Sequence, residues 1–222
     1  MLRKRSIFFV WAFFAVFLAL VFPLSGQTTL EVEQGLKIPN SKTPWAVDVY
    51  NNQFELVPIH HSTVSLNKHT GANAAGSLAG SFFYKPKLTA ELDGLNSRNQ
   101  LHTDKPVIYF LFDADQDKDG SGKSSDTWDF VIARAEQAKD KRVVDRLAFN
   151  TLTGHAKRGQ SFVDIEITQL PNSWYRIQPK NPIPEGEYVL LPVPKANGSY
   201  STVVWDFAIN AKAPNATDAI VK

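Results

Sequence analysis

The chain contains no cysteine and only one methionine. Without cysteine there can be no disulfide, no thiolate metal site and no thioether lipid anchor. Catalytic signatures are also missing. No HExxH pair is present, and the Gly71–Gly80 stretch lacks the Gly-Lys-Ser/Thr ending of a phosphate loop. Gly122-Lys123-Ser124 does supply that tripeptide, but the first glycine of the pattern would fall on Asp117. A strong charge bias is absent as well. Lysine and arginine total 24 against 22 acidic residues, and Arg3, Lys4 and Arg5 belong to the extreme N-terminus. The remainder is nearly neutral, which removes the main argument for a nucleic-acid partner. No basic amphipathic stretch points to a membrane surface.

What is present begins with a leader. After the basic start, Ile7–Leu24 is uncharged and almost wholly apolar, Pro23 stops a helix, and Ser25-Gly26-Gln27 offers small and polar residues for cleavage. This is the layout of a secretory signal peptide over residues 1–26, so export to the periplasm or the cell exterior is expected. The apolar run is close to the roughly 18 residues at which a spanning helix becomes plausible, so an uncleaved membrane anchor is the alternative. Beyond the leader remain Trp45, Trp128, Trp174, Trp205 and all six tyrosines. That is enough apolar material for an exported domain to hold together without disulfides.

The body of the chain reads as strands. Residues 27–44 form an extended lead-in, with Pro39 and Pro44 opposing a helix. Trp45, Val47 and Val49 alternate with Ala46, Asp48 and Tyr50, a half-buried pattern. Asn51-Asn52 is a turn signal before a second strand at Phe54–Ile59. Residues 62–80 read as a flexible surface loop. Val107–Phe112 is apolar on both faces, as in a central strand. Between Thr127 and Leu147 a helix competes with two strands turning at Lys139-Asp140-Lys141. The strands are preferred because Val143, Leu147 and Phe149 resume a period of two. Further alternation marks Val163–Thr168, Tyr175–Ile177, Tyr188–Val193 and Val203–Asn210. The expected fold is therefore all-β, a single antiparallel sandwich or barrel-like domain over residues 45–210 following a signal helix. Residues 211–222 are small and polar and read as a flexible tail. His60, His61 and His69 read as exposed strand-end histidines, and so, more strongly, do the isolated His102 and His155.

Four short stretches carry a resemblance. Arg142-Val-Val, Trp174-Tyr-Arg-Ile-Gln-Pro, Ile183-Pro-Glu-Gly-Glu-Tyr-Val and Val204-Trp-Asp-Phe-Ala-Ile resemble a group of exported bacterial β-rich domains to which no activity is assigned. Leu92-Asp-Gly-Leu-Asn-Ser, followed by Pro106-Val-Ile-Tyr-Phe, resembles an upstream portion of the same pattern. The resemblance spans about residues 45–210, and implies an exported β-domain and strands over Trp128–Phe149. It brings no catalytic residues. Gly186 is expected in a tight turn, Tyr188 and Trp205 in the core, and Glu187 and Asp206 as turn or strand-edge partners.

One segment calls for a ligand. Counted from Asp115, side-chain oxygens fall at positions one, three and five (Asp115, Asp117, Asp119), a glycine at six (Gly120), and Ser121 at seven. Asp126 stands at twelve. This resembles the DxDxDG loops of calcium proteins, in which alternate oxygens, a backbone carbonyl and a last carboxylate surround the ion. It departs from an EF-hand in being entered by a strand, in Gly122 and Lys123 at positions eight and nine, and in the short reach of Asp126. A structural Ca2+ is expected there, the bland alternative being a solvated loop. The function that follows is a non-catalytic binding or structural module of the cell envelope or the exterior. The alternative is a carboxylate-dependent hydrolase acting on glycan through Asp164 and Glu166.

Overall fold

The computed structural model describes residues 30–39, 43–69, 87–111, 128–149, 156–158, 162–194 and 203–221, together with Ala75. Strands β1 (Leu30–Glu31) and β2 (Lys37–Ile38) form a short hairpin around a 3-10 turn at Glu33–Gly35. Then come β3 (Trp45–Tyr50), β4 (Gln53–Pro58), β5 (His61–Thr63) and β6 (Ser65–Asn67). The middle of the chain gives β7 (Lys87–Asp93), β8 (Gln100–Leu101), β9 (Val107–Leu111), β10 (Trp128–Ala138) and β11 (Lys141–Phe149). The remainder is β12 (Ala156–Arg158), β13 (Phe162–Val163), β14 (Ile165–Gln169), β15 (Trp174–Pro179), β16 (Gly186–Pro194), β17 (Val203–Ile209) and β18 (Ile220–Val221). The protein is all-β, and no described helix is long and apolar enough to cross a membrane.

The strands sort into two main sheets. One runs β14-β15-β9-β3-β4-β18, antiparallel throughout. The other follows the path β5-β17-β16-β10-β11-β7-β6. Its two ends are halves of one stretch of chain: β5 pairs with β17 and β6 pairs with β7, with only Val64 between them. The sheet is thereby nearly closed and barrel-like, which leaves few unpaired edges. Period-two alternation then fixes what lies inside. Val64, Ala90, Leu92, Ala133, Ala135, Val144, Val189, Leu191 and Val204 form one buried cluster, small enough for the narrow interior. The outward residues of β10, β16 and β17 (Phe130, Ile132, Tyr188, Leu190, Phe207, Ile209) pack on Ala46, Val57, Ile108, Phe110 and Ile177 of the second sheet. A third layer lies beyond it, where Leu36 and Ile38 of the lead-in cover Trp45, Val47, Leu56, Tyr109 and Trp174.

This layering explains where local expectations hold. Asn51 and Asn52 both adopt positive φ (50° and 62°), the geometry of the two-residue hairpin turn that their sequence signals. Strand β9 is central and covered on both faces. The segment around 127–147 is the β10–β11 hairpin, turning at Lys139-Asp140, and not a helix.

Three expectations differ from what is found. Strand β3 is not half-buried: Ala46 and Asp48 are fully buried while Val49 is 37% exposed, because the closed sheet covers the face that alternation assigned to solvent. Within 62–80, residues up to Asn67 are strands that complete the closure, not loop. The segment after Asn210, expected as a loose tail, crosses the end of the second sheet, buries Ala213 and pairs Ile220 and Val221 with Leu56 and Glu55. Residues 1–29, and with them the expected signal peptide, lie outside the described residues.

Candidate functional site

The residues that carry the resemblance meet in space. Arg142 of β11, Glu187 of β16 and Asp206 of β17 all project to the interior of the nearly closed sheet, at one end of it, among apolar neighbours. Each is buried. The Arg142 guanidinium nitrogen Nη1 donates to Asp206 Oδ2 at 2.6 Å and to Glu187 Oε2 at 3.1 Å, while Nε donates to the Gly94 carbonyl. Glu187 Oε2 also accepts the Ser97 backbone N–H at 2.7 Å. Ser97 Oγ and Asn99 Nδ2 donate to the Asp206 carbonyl. One arginine thus pairs with two carboxylates in a space where an unpaired charge would cost several kcal/mol, and the same cluster ties the 94–99 connection across the barrel end. Burial pushes the Glu187 carboxyl above its usual range, against the opposing pull of the Ser97 N–H and the Arg142 guanidinium.

Above this cluster opens a cleft of about 400 Å3, lined by His60, His61, Ser62, Thr63, Leu92, Asp93, Asn96, Arg98, Asn99, Arg142 and Asp206. Ser62 Oγ donates to Asp206 Oδ1 at 2.5 Å, and His60 Nε2 lies 2.9 Å from Asp218 at the rim. Exposed Arg98, His61, Thr63 and Asn96 give the cleft walls hydrogen-bonding groups. Among the described residues no Phe, Tyr or Trp lines it.

A second polar group lies between the two main sheets at the opposite end of β3. Asp48 and Glu55 are directly opposed across the β3–β4 pair, and both point to the inter-sheet side. Asp48 Oδ1 accepts the backbone N–H groups of His102 and Thr103 at 2.9 and 2.8 Å. Its Oδ2 lies 2.7 Å from His102 Nδ1. His102 Nε2 is 3.0 Å from the Ala213 carbonyl, and the ring rests against Tyr50 with centroids 4.6 Å apart. Glu55 Oε2 accepts from Asn215 Nδ2 at 2.9 Å, whereas Oε1 is buried without a hydrogen-bond partner. Burial raises the Glu55 carboxyl; Asn215 and His102 pull the other way. For His102, burial acts to lower the imidazole, but the Ala213 carbonyl and the Asp48 carboxylate outweigh it and the net shift is upward.

The structure corrects the reading of His102. It is not an exposed strand-end residue: its side chain is 7% exposed and bound to a fully buried carboxylate. Glu187 and Asp206, expected at turns or strand edges, are buried partners of Arg142. A signal for both existed. Asp206 shares its strand face with Val204 and Ala208, and Asp48 shares its face with Ala46, so an isolated charge stands among small apolar residues. The calcium-loop residues Asp115, Asp117, Asp119, Ser121 and Asp126 lie outside the described residues, as does His155. Asp164 and Glu166 are exposed, with Asp164 2.9 Å from Lys180 Nζ, and neither lines the cleft. The chain matches no family model, and no curated protein or solved structure is significantly similar to it.

Proposed function

We propose that this chain is an exported, non-catalytic β-domain, a binding or structural module of the cell envelope or the exterior, whose contact surface is the cleft beside β5. One observation carries the reading. Among the described residues, the charged groups at and beneath the cleft floor are already engaged: Arg142 with Glu187 and Asp206, Asp206 also with the Ser62 hydroxyl, Glu187 also with the Ser97 N–H. A nucleophile needs a base to take its proton, yet Ser62 faces a carboxylate already paired to arginine, with no imidazole between them. The walls, by contrast, turn Arg98, His61, Thr63 and Asn96 outward, a set suited to holding a polar ligand such as an envelope glycan. Two carboxylates flanking a scissile bond, the requirement for glycoside hydrolysis, are not offered by exposed Asp164 and Glu166.

Co-sedimentation with insoluble peptidoglycan tests this directly. Wild-type protein should pellet with the glycan, Arg98→Ala with Asn96→Ala should stay in solution, and no reducing ends should appear. Release of reducing ends would move the assignment to a hydrolase. Export predicts that N-terminal sequencing of the secreted protein finds a start near Gly26; an intact leader would make it a tethered form. The Asp113–Asp126 segment is assigned a structural Ca2+. Millimolar calcium should then raise the melting temperature, and Asp115→Ala with Asp117→Ala should abolish the rise.

A further inference from the structure

The inter-sheet group at β3 and β4 differs from an ordinary buried ion pair in holding a second buried carboxylate beside the Asp48–His102 pair. Each of its three side chains is held in place by a partner outside the trio or by the backbone. Asp48 Oδ1 accepts the His102 and Thr103 N–H groups, and Oδ2 accepts the His102 N–H and faces His102 Nδ1 at 2.7 Å. Glu55 is anchored through Oε2 by Asn215, leaving Oε1 inward. His102 is anchored through Nε2 by the Ala213 carbonyl, with Nδ1 turned to Asp48 Oδ2. One ligand atom from each of the three lies within 4.8 Å of the other two. Anchoring the outer ring nitrogen on a backbone carbonyl and the outer carboxylate oxygens on N–H donors is how proteins orient metal ligands.

The second, independent observation is Glu55 Oε1. A carboxylate oxygen on a residue 1% exposed, with no hydrogen-bond partner, is costly unless something meets it. Asn215 holds only the other oxygen, Oε2. We propose that Asp48, Glu55 and His102 form a binding site for a divalent transition-metal ion, with zinc the best match to one imidazole and two carboxylates. An ion about 2.1 Å from each ligand in tetrahedral geometry requires Asp48 Oδ2 and His102 Nδ1, now 2.7 Å apart, to part by about 0.7 Å. Asp48 and Glu55 are buried and the His102 side chain is only 7% exposed, so the site is structural: it would fasten β3, β4, the 102–103 turn and the C-terminal segment at Ala213–Asn215. This set shares no residue with the acidic stretch 113–126, whose all-oxygen composition suits calcium.

The test uses untagged protein, equilibrated for long periods or refolded in Zn2+ because the C-terminal segment lies over the site, with bound metal measured after dialysis. Asp115→Ala with Asp117→Ala, and separately His61→Ala, should retain one tightly bound Zn2+ per chain. Glu55→Gln should lose it. Asn215→Ala, which keeps all three ligands, should weaken binding by about 10–100-fold, and this variant decides the matter if Glu55→Gln fails to fold. Zinc binding should also raise the melting temperature of wild type and of the loop variant alike. No bound zinc in wild type, or zinc indifferent to both Glu55→Gln and Asn215→Ala, overturns the proposal. Loss of calcium stabilisation in the loop variant with zinc retained would show the two sites to be independent.

Discussion

Arg142 sits between two carboxylates with 3% of its surface exposed, so its charge is held entirely by protein. Removing it leaves Glu187 and Asp206 as like charges facing one another in an apolar interior. Arg142→Ala should therefore cost about 3–5 kcal/mol, read as a fall in the urea midpoint with an unchanged slope. A cost under about 1 kcal/mol would mean that water reaches the cluster. Lysine is a poor replacement, because its point charge cannot bridge Glu187, Asp206 and the Gly94 carbonyl at once. Gly186 is constrained for a different reason. Its φ of +150° is closed to side chains, and a Cβ would stand 3.0 Å from the Arg134 guanidinium.

At the scale of elements, closure of the barrel-like sheet depends on a short strand, β6, held by more than its ladder. Glu91 of β7 accepts hydrogen bonds from Asn67 of β6 and from Thr89, and lies 3.4 Å from Lys141 of β11. Burial alone would raise this carboxyl, but the Thr89 and Asn67 hydrogen bonds and Lys141 together outweigh it and hold it below the usual carboxyl range. A carboxyl depressed in the fold contributes stability above its unfolded value, near 4.5, and that stability is lost as pH falls toward the folded value. Urea midpoints measured from pH 7 to pH 3 should decline more steeply in wild type than in Glu91→Gln. Parallel profiles would show that Glu91 does not titrate with folding.

For the molecule as a whole, the two sheets share one inter-sheet layer, and β10, β16 and β17 lie inside both that layer and the barrel interior. Their amides should exchange most slowly with solvent, and those of β1, β2 and β18, paired over two residues each, fastest. Hydrogen-exchange mass spectrometry checks the order, and equal protection across β17 and β18 would contradict it. Ile108, fully buried in the inter-sheet layer, gives the companion measurement. Ile108→Ala should cost about 2–5 kcal/mol in chemical denaturation, and a loss below 1 kcal/mol would place the main core elsewhere.

The all-β fold, the Asn51-Asn52 hairpin, the doubly covered β9 and the choice of strands over a helix at 128–149 were legible in the residues themselves. Turn chemistry and the alternation of faces are local properties, set by side chains a few positions apart. Alternation does not say which face another sheet will cover. That is why Asp48, on the face a half-buried strand turns to water, is buried against His102, 54 residues away, and why the segment to Val221 is docked where its composition suggests a loose tail. The Arg142–Glu187–Asp206 cluster follows the same rule. Its members stand 45 and 64 residues from Arg142, each marked in the sequence only as a charge among apolar neighbours. Only the register that brings β11, β16 and β17 to one end of a nearly closed sheet decided that they meet, because pairing between distant strands is a property of the assembled sheets and of no single stretch.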